Sequence, residues 1–366
     1  MYALKIILKQ RFRFMLTIGG IGLCVVLMLF LLGIYRGVAD GAVDYIRYNS
    51  ADLWVLQENT TNILRGTSIL SNAHGYVLRD TPYLENISPV LFLLSTIRKE
   101  NKSATIFLTG YEPEAKYGGP PELIAGRNIQ NDDEIVLDHS FAAKYRFTVG
   151  DLLYINKIPL TVTGLSKGTN AFVIQYAFVT LKRARTIINF NSLVTCYLAD
   201  VKPPQQPAQA IQDLQADLPG IAVFTHDVFL QNNIKETESG ILPMLSALAV
   251  IGAIVLTVIL TMILSISILE ERKNYAVMKV LGAPSGYLPR LVAGQGLALT
   301  FSAYILGTLM FFPMIASIMY FYPEIGIKTT LFHFIGIFFI VIAMSLISTF
   351  FCLHKLRKIY PLEVFS

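Results

Sequence analysis

Four apolar runs decide most of what this chain can become. They cover residues 14–35, 241–269, 288–322 and 331–353, and each reaches or exceeds the ~20 residues that a helix needs to cross a hydrocarbon core. One water-soluble core cannot hide all four, so the expectation is a membrane protein with four transmembrane α-helices. Composition agrees, because charged residues make up only 15% of the chain and the mean hydropathy is +0.54. Soluble domains carry about 25% charge. Between the first and second runs hydropathy falls over residues 36–240, a stretch long enough to build its own core.

The basic residues orient these runs. Lys5, Lys9, Arg11 and Arg13 precede the first run, Arg272, Lys273 and Lys279 lie between the second and third with Arg290 at the start of the third, and Lys355, Arg357 and Lys358 follow the last. If the spans alternate, all three clusters fall on one side, and the positive-inside rule makes that side cytoplasmic. Both termini, including the tail 354–366, are then expected in the cytoplasm, with the large domain and the turn 323–330 outside. Residues 1–13 place Leu4, Ile7 and Leu8 on one helical face beside a basic edge, which suits an interfacial helix on the lipid bilayer. A cleaved signal peptide is the rival reading. Its apolar region is about 7–15 residues, however, and the first run is longer.

The stretch 270–287 is polar yet helical in period. Tyr275, Met278 and Leu281 recur at three-residue spacing with Ala276 and Val280 beside them, and Gly282 followed by Pro284 ends the pattern. Glycine accepts the left-handed cap and proline cannot continue a helix. The outcome is a short amphipathic helix with no core of its own, which either meets a partner or lies on the membrane as a charged loop.

The region 36–240 reads as an α+β domain. Strands are expected at 52–56, 86–94 and 103–110, the last two separated by a polar turn at Arg98–Lys102. A second module at about 131–190 offers a strand at 134–137, a helix at 139–145, strands after Gly150 and at 160–165, and a strand leading into a helix at 181–188. A linker with Pro203, Pro204 and Pro207 precedes a helix at 208–218 and a strand at 221–224. Two helical stalks are expected to continue the spans outward. Arg36–Asn49 carries Val38, Ala42, Val43 and Ile46, and His226–Ser239 carries Val228 and Ile234, leading straight into the second span. Gly33 and Gly37, four residues apart, and Gly252 are candidate small-residue contacts for packing in a dimer.

Several chemistries are not written into the chain. Cys24, Cys196 and Cys352 are an odd, scattered set and no disulfide framework. The five histidines lack metal-ligand spacing, and no catalytic nucleophile–base pair is recognisable, so no metal site and no enzyme activity are expected. Phosphate-loop spacing is missing; the run Gly164–Gly168 has the wrong interval. The basic residues sit at span ends rather than in a nucleic-acid-binding patch.

The run Glu271, Arg272, Tyr275, Ala276, Val277, Met278, Lys279, Leu281, Gly282, Ala283 resembles the E-R-x-x-E-x-A-x-L-K-A-L-G-A-like segment of FtsX/MacB-type ABC transporter permeases. Asn274–Tyr275 stands where that family carries an acidic residue. The Val149-Gly150-Asp151 turn and the closing Tyr360-Pro-Leu-Glu-Val are similar to family features too, and the order of spans fits over essentially the whole chain. The resemblance implies a permease of the bacterial inner membrane that dimerises, and whose 270–287 segment is a coupling helix docked on a separate ATPase. ATP and Mg²⁺ would be used by that partner, with no cofactor bound by this chain. Movement of the inner ends would pass through the stalks to the outer domain, a mechanotransmission. Around Asp52–Leu56 and Glu85–Pro89 the chain is similar to adaptor-dependent exporter permeases of the DevC kind, which implies a membrane-fusion adaptor and an outer-membrane channel. Lipoprotein release, or a signalling permease that switches a periplasmic or membrane enzyme without moving cargo, remain the alternatives.

Overall fold

The first helix does not stop where its apolar run stops. In the computed structural model α1 spans Arg11–Gly41, carrying the span past Arg36 and including Val38. The structure describes residues 11–63, 66–99, 102–171, 174–240, 242–270 and 287–356, with Val277 and Pro284 besides. The 1–10 part of the interfacial segment and the tail from Arg357 lie outside the described residues.

After Gly41 the backbone tightens. The Ala42 amide still reaches Val38 O at 3.1 Å, but the Val43 amide bonds Asp40 O at 3.1 Å, three residues back. The helix resumes as α2, Asp44–Tyr48. The expected unbroken stalk over 36–49 is therefore interrupted at Ala42–Val43. Just before the interruption the helix passes close to another segment, since a Cβ on Gly41 would run into the backbone carbonyl of Asn170.

The outer domain follows, built on one large twisted sheet. In chain order its elements are β1 (Leu53–Gln57), β2 (Leu70–Ser71), α3 (Asn72–Asp80), β3 (Leu84–Lys99), β4 (Lys102–Tyr111), β5 (Glu122–Gly126), β6 (Glu134–Asp138), α4 (His139–Tyr145), β7 (Leu152–Ile155), β8 (Ile158–Lys167), β9 (Tyr176–Thr180), α5 (Leu181–Ile188), β10 (Leu193–Val194), β11 (Cys196–Val201), α6 (Pro207–Asp217), β12 (Ile221–Thr225) and α7 (His226–Ser239). Ten strands run in the order β12-β1-β11-β3-β4-β9-β6-β8-β5, with β7 bonded to β3 and β8, while β2 and β10 form a separate pair. Among the described residues, only β4–β9 and β6–β8 are parallel. The β4–β9 ladder, Phe107 to Tyr176 through Tyr111 to Thr180, stitches the 131–190 module into the same sheet as its flanks. Arg98 and Lys99, expected in a turn, still belong to β3 and pair with Ser103 and Lys102.

Burial follows the alternation of the strands. One face packs Leu53, Val55, Leu91, Ile106, Leu108, Ile135 and Leu137 against the helices α5 and α6. The other packs Trp54, Leu56, Val90, Phe92, Val136, Tyr176 and Phe178 with residues of α2 and α7. Two apolar faces of one sheet thus produce two cores.

The second stalk, α7, ends at Ser239, and Gly240 is not helical (φ −88°, ψ −102°). It does not run continuously into the second span. That span is α8, Leu242–Glu270, followed by α9, Tyr287–Phe321, and α10, Leu331–Leu356. Two compact units divide the chain: residues up to Arg36, Pro243–Ser317 and from Ile327 onward form the membrane unit, and Gly37–Leu242 with Ile318–Gly326 form the outer unit. Inside the membrane unit Ile21, Val25, Leu29, Leu256, Leu260, Ala303, Phe311 and Val341 make the core. One close helix crossing is glycine on glycine: a Cβ on Gly307 would lie 2.7 Å from the Gly22 carbonyl oxygen.

Candidate functional site

The outer unit receives the chain at α2 and releases it at α7, and these two short elements share one seat. Tyr45 and Ile46 of α2 are fully buried. The Tyr45 ring stacks on Tyr176 at 5.2 Å and 12°, and meets Phe92 edge-on at 5.4 Å and 83°. Its hydroxyl donates to Gly118 O at 2.9 Å. Burial pushes the phenol well above its usual pKa, so it acts as a neutral donor. Asn49 closes the arrangement: its Nδ2 donates to Tyr45 O at 3.0 Å and its Oδ1 accepts from the Gly118 amide at 2.6 Å. The polar groups of Tyr45 and Asn49 are thus paired, whereas the Tyr176 hydroxyl and the Trp54 indole nitrogen, buried in the same cluster, have no partner among the described residues.

On α7 the anchors are Phe229 and Asn233, one helical turn apart and both fully buried. Thr225 caps the helix by accepting from the Val228 amide at 3.4 Å. Phe229 stacks on Trp54 at 4.6 Å and 23°. Asn233 Oδ1 accepts from the Ile63 amide at 3.1 Å, and Nδ2 donates to Phe229 O at 2.8 Å. Tyr45, Ile46, Trp54, Phe92, Tyr176 and Phe229 all belong to one buried cluster, and α2 also touches α7 directly.

A third chain segment reaches the same unit. Residues 318–326, the last turn of α9 and the non-helical turn after it, are part of the outer unit. Glu324 Oε1 accepts from Lys144 Nζ at 2.7 Å, and Glu324 O accepts from Asn170 Nδ2 at 2.9 Å. The Glu324 hydrogen bond raises the pKa of Lys144. Asn170 is also the residue whose carbonyl Gly41 must clear, so one asparagine lies beside both the end of α1 and the 318–326 segment.

The expected stalk residues fare unequally. Val38, Ala42, Val43 and Ile46 are buried. On α7, by contrast, Val228 is 49% exposed and Ile234 only half-buried. The buried residues are instead their chain neighbours, Phe229 and Asn233. Gly33 makes its close approach within its own chain, where a Cβ would lie 2.7 Å from Ile327 Cγ2 and where Gly33 O accepts from the Lys328 amide. Gly37 is buried, and a Cβ on Gly252 would meet only Leu27 Cδ2, at 4.0 Å, among the described residues. The coupling residues Glu271, Arg272, Tyr275, Met278, Lys279, Leu281, Gly282 and Ala283 lie outside the described residues.

Relatives agree with this architecture. The MacB-like periplasmic core domain matches residues 14–217, more than half of the chain, and the FtsX-like permease C-terminal domain matches residues 246–361. The macrolide export ATP-binding/permease protein MacB of Haemophilus ducreyi is 23% identical over 309 residues, covering 77% of this chain and 43% of that protein. MacB of Shewanella sp. strain W3-18-1 is 22% identical over 224 residues, covering 56% and 35%. The chain thus spans less than half the length of these relatives. The periplasmic region of MacB from Actinobacillus actinomycetemcomitans superposes with a TM-score of 0.39 at 17% identity, covering 54% of this chain and 98% of that one. The extracellular domain of the ABC-type transporter YknZ from Gram-positive bacteria gives a TM-score of 0.37 at 12% identity, covering 48% and 99%. Four membrane-competent helices, an α/β domain between the first two, and both domain matches make this chain a member of the FtsX/MacB-type ABC transporter permeases.

Proposed function

We propose that this permease couples ATP hydrolysis by a separate ABC ATPase to movements of its outer domain, and that these movements drive export together with a membrane-fusion adaptor. One observation carries the reading. The helices that enter and leave the outer domain, α2 and α7, are anchored in a single aromatic cluster, with the 318–326 turn held on the same unit. A displacement of either helix therefore acts on one packed body, and close-packed interiors transmit strain rather than absorb it. The break at Ala42–Val43 is the natural place for the bend such a motion needs.

A second copy fits the membrane unit. Only 11% of the most apolar window of α8 is buried, and Val250, Ile254, Val258 and Met262 are exposed. In the proposed homodimer part of this face meets its counterpart and the rest meets lipid in the inner membrane. Tyr275, Met278 and Leu281 remain the proposed edge for the ATPase, with both termini cytoplasmic. The names of the relatives mention macrolide export; export is the class of activity carried over here.

The test places one spin label per protomer at the exposed Val228 in nanodiscs that also hold the ATPase. Pulsed dipolar spectroscopy should give an inter-protomer distance that shifts by several Å, about the scale of a helix shift, between nucleotide-free and ATP-trapped states. An unchanged distance distribution overturns the proposal.

A further inference from the structure

Between α3, α5 and β11 the outer domain holds an open cavity of about 210 Å³. Tyr76 and Arg79 of α3, Glu112 after β4, Arg185 of α5 and Tyr197 of β11 line it. The cavity has a built wall. The buried Tyr197 hydroxyl donates to Ser71 O at 3.0 Å, and Gly75 allows α3 to come close, since a Cβ there would lie 2.7 Å from Tyr197 Oη.

Arg185 is the group that needs explaining. It is half-buried, its Nε donates to Leu193 O at 3.0 Å, and its Nη2 donates to Asn72 Oδ1 at 2.6 Å. Both acceptors are neutral, Nη1 has no hydrogen-bond partner among the described residues, and burial lowers the guanidinium pKa. Glu112, the carboxylate of the cavity, pairs at 3.6 Å with Arg79 instead. Glu112 acts on Arg185 only at a distance; a cation drawn out of water without a directly bonded anion is costly, and the planar fork of arginine matches a carboxylate bidentately.

We propose that this cavity binds a small molecule through its carboxylate, gripped by Arg185 with Arg79 beside it, while an apolar group of the ligand lies against the ring of Tyr76. The volume limits the size. Pockets for drug-sized ligands measure roughly 300–1,000 Å³, so about 210 Å³ suits a free amino acid or the last residue of a peptide. These two sources share the α-carboxylate. Glu112 would add a partner for the ammonium of a free amino acid. The site is independent of the export reading and stands or falls without it.

The experiment is calorimetric titration of the full chain in nanodiscs with L-phenylalanine, N-acetyl-L-phenylalanine, N-acetyl-L-phenylalaninamide and inorganic phosphate. At least one of the two acids should bind, with the amide about tenfold weaker or worse, as losing a charge-assisted hydrogen bond implies. Binding of L-phenylalanine alone supports the site as one for a free amino acid. Binding of the N-acetylated acid supports it as one for a peptide end. Arg185→Gln should weaken the acids about tenfold. Arg185 also ties α5 to Asn72, so Arg79→Gln, at an exposed position, decides the matter if the first variant unfolds. Failure of both acids to bind, equal binding of amide or phosphate, or unchanged affinity in the folded variant overturns the proposal.

Discussion

The two connections between membrane and outer domain are built differently. The entry is a long helix, a tight turn at Ala42–Val43 and a five-residue helix whose inner residues, Tyr45 and Ile46, are fully buried. The exit is a fourteen-residue helix that buries only Phe229 and Asn233 and leaves Val228 in solvent. The entry is thus a short plug with a bend before it, and the exit a longer rod fixed on one stripe. A plug holds position, whereas a rod with one anchored stripe can tilt. The asymmetry makes the exit helix the moving part in the proposed mechanism and the entry its pivot.

The largest effect should come from pulling the plug. Tyr45→Ala removes a ring stacked on Tyr176 and a hydroxyl bonded to Gly118, and large-to-small changes of this kind cost about 3–5 kcal/mol. Thermal unfolding of the detergent-solubilised chain should show it, with Tyr45→Phe losing only about 1 kcal/mol for the hydrogen bond. If Tyr45→Ala is as stable as wild type, the plug does not anchor the domain. A smaller effect concerns the input to both connections. Met278→Ala with Leu281→Ala should lose the ATPase on co-purification, since truncating interface anchors costs roughly 2 kcal/mol or more. Retention of the ATPase would make that stretch an ordinary loop.

Next in size is the rod. Asn233→Ala leaves the Ile63 amide buried without an acceptor, at about 1–3 kcal/mol. The expected outcome is a domain less destabilised than by Tyr45→Ala but with a broadened distance distribution for labels at Val228. Equal breadth in mutant and wild type would show that the stripe does not set the rod's angle.

How far these parts were legible in sequence depends on the kind of signal each one sends. The four long helices announce themselves, because lipid imposes an apolar length that no soluble core requires. Strands with plain patterns, such as Glu134–Asp138, and helices such as Leu181–Ile188 are equally readable. β11 is not: its larger apolar residues are interrupted by Ala199 and Asp200, and its pairing shifts register between Leu198 and Asp200. α3 carries Gly75 in its middle and little apolar periodicity. The proposed ligand cavity lies against both of these elements and was invisible for that reason. On the stalks, aliphatic spacing led to Val228 and Ile234, while the anchors are an aromatic and an amide. The pair Phe229 and Asn233, four residues apart with an aromatic to bury, was the available signal. Beside the break at Ala42–Val43, Gly41 passes close to the Asn170 carbonyl, a long-range contact that local pattern does not encode.

The smallest expected effect tests whether a third connection shares the load. Lys144 and Glu324 form an ion pair at 2.7 Å, with side chains 40% and 16% exposed. Pairs of this exposure are worth about 0–1 kcal/mol, so Glu324→Gln should leave thermal unfolding nearly unchanged. The Asn170 bond uses the Glu324 main-chain oxygen, so the turn keeps one of its two ties in that variant. If the turn only rests on the domain, the ATP-dependent distance at Val228 will be the same in Glu324→Gln as in wild type. If the turn carries part of the motion, the shift shrinks while stability holds, and raised salt should have the same effect in the wild-type protein by screening the pair. Asn170→Ala then separates the two ties, because it removes the side-chain bond to Glu324 O while leaving the ion pair in place. A shift that survives both substitutions together assigns the transmission to α2 and α7 alone, with the bend at Ala42–Val43 as its only hinge on the entry side.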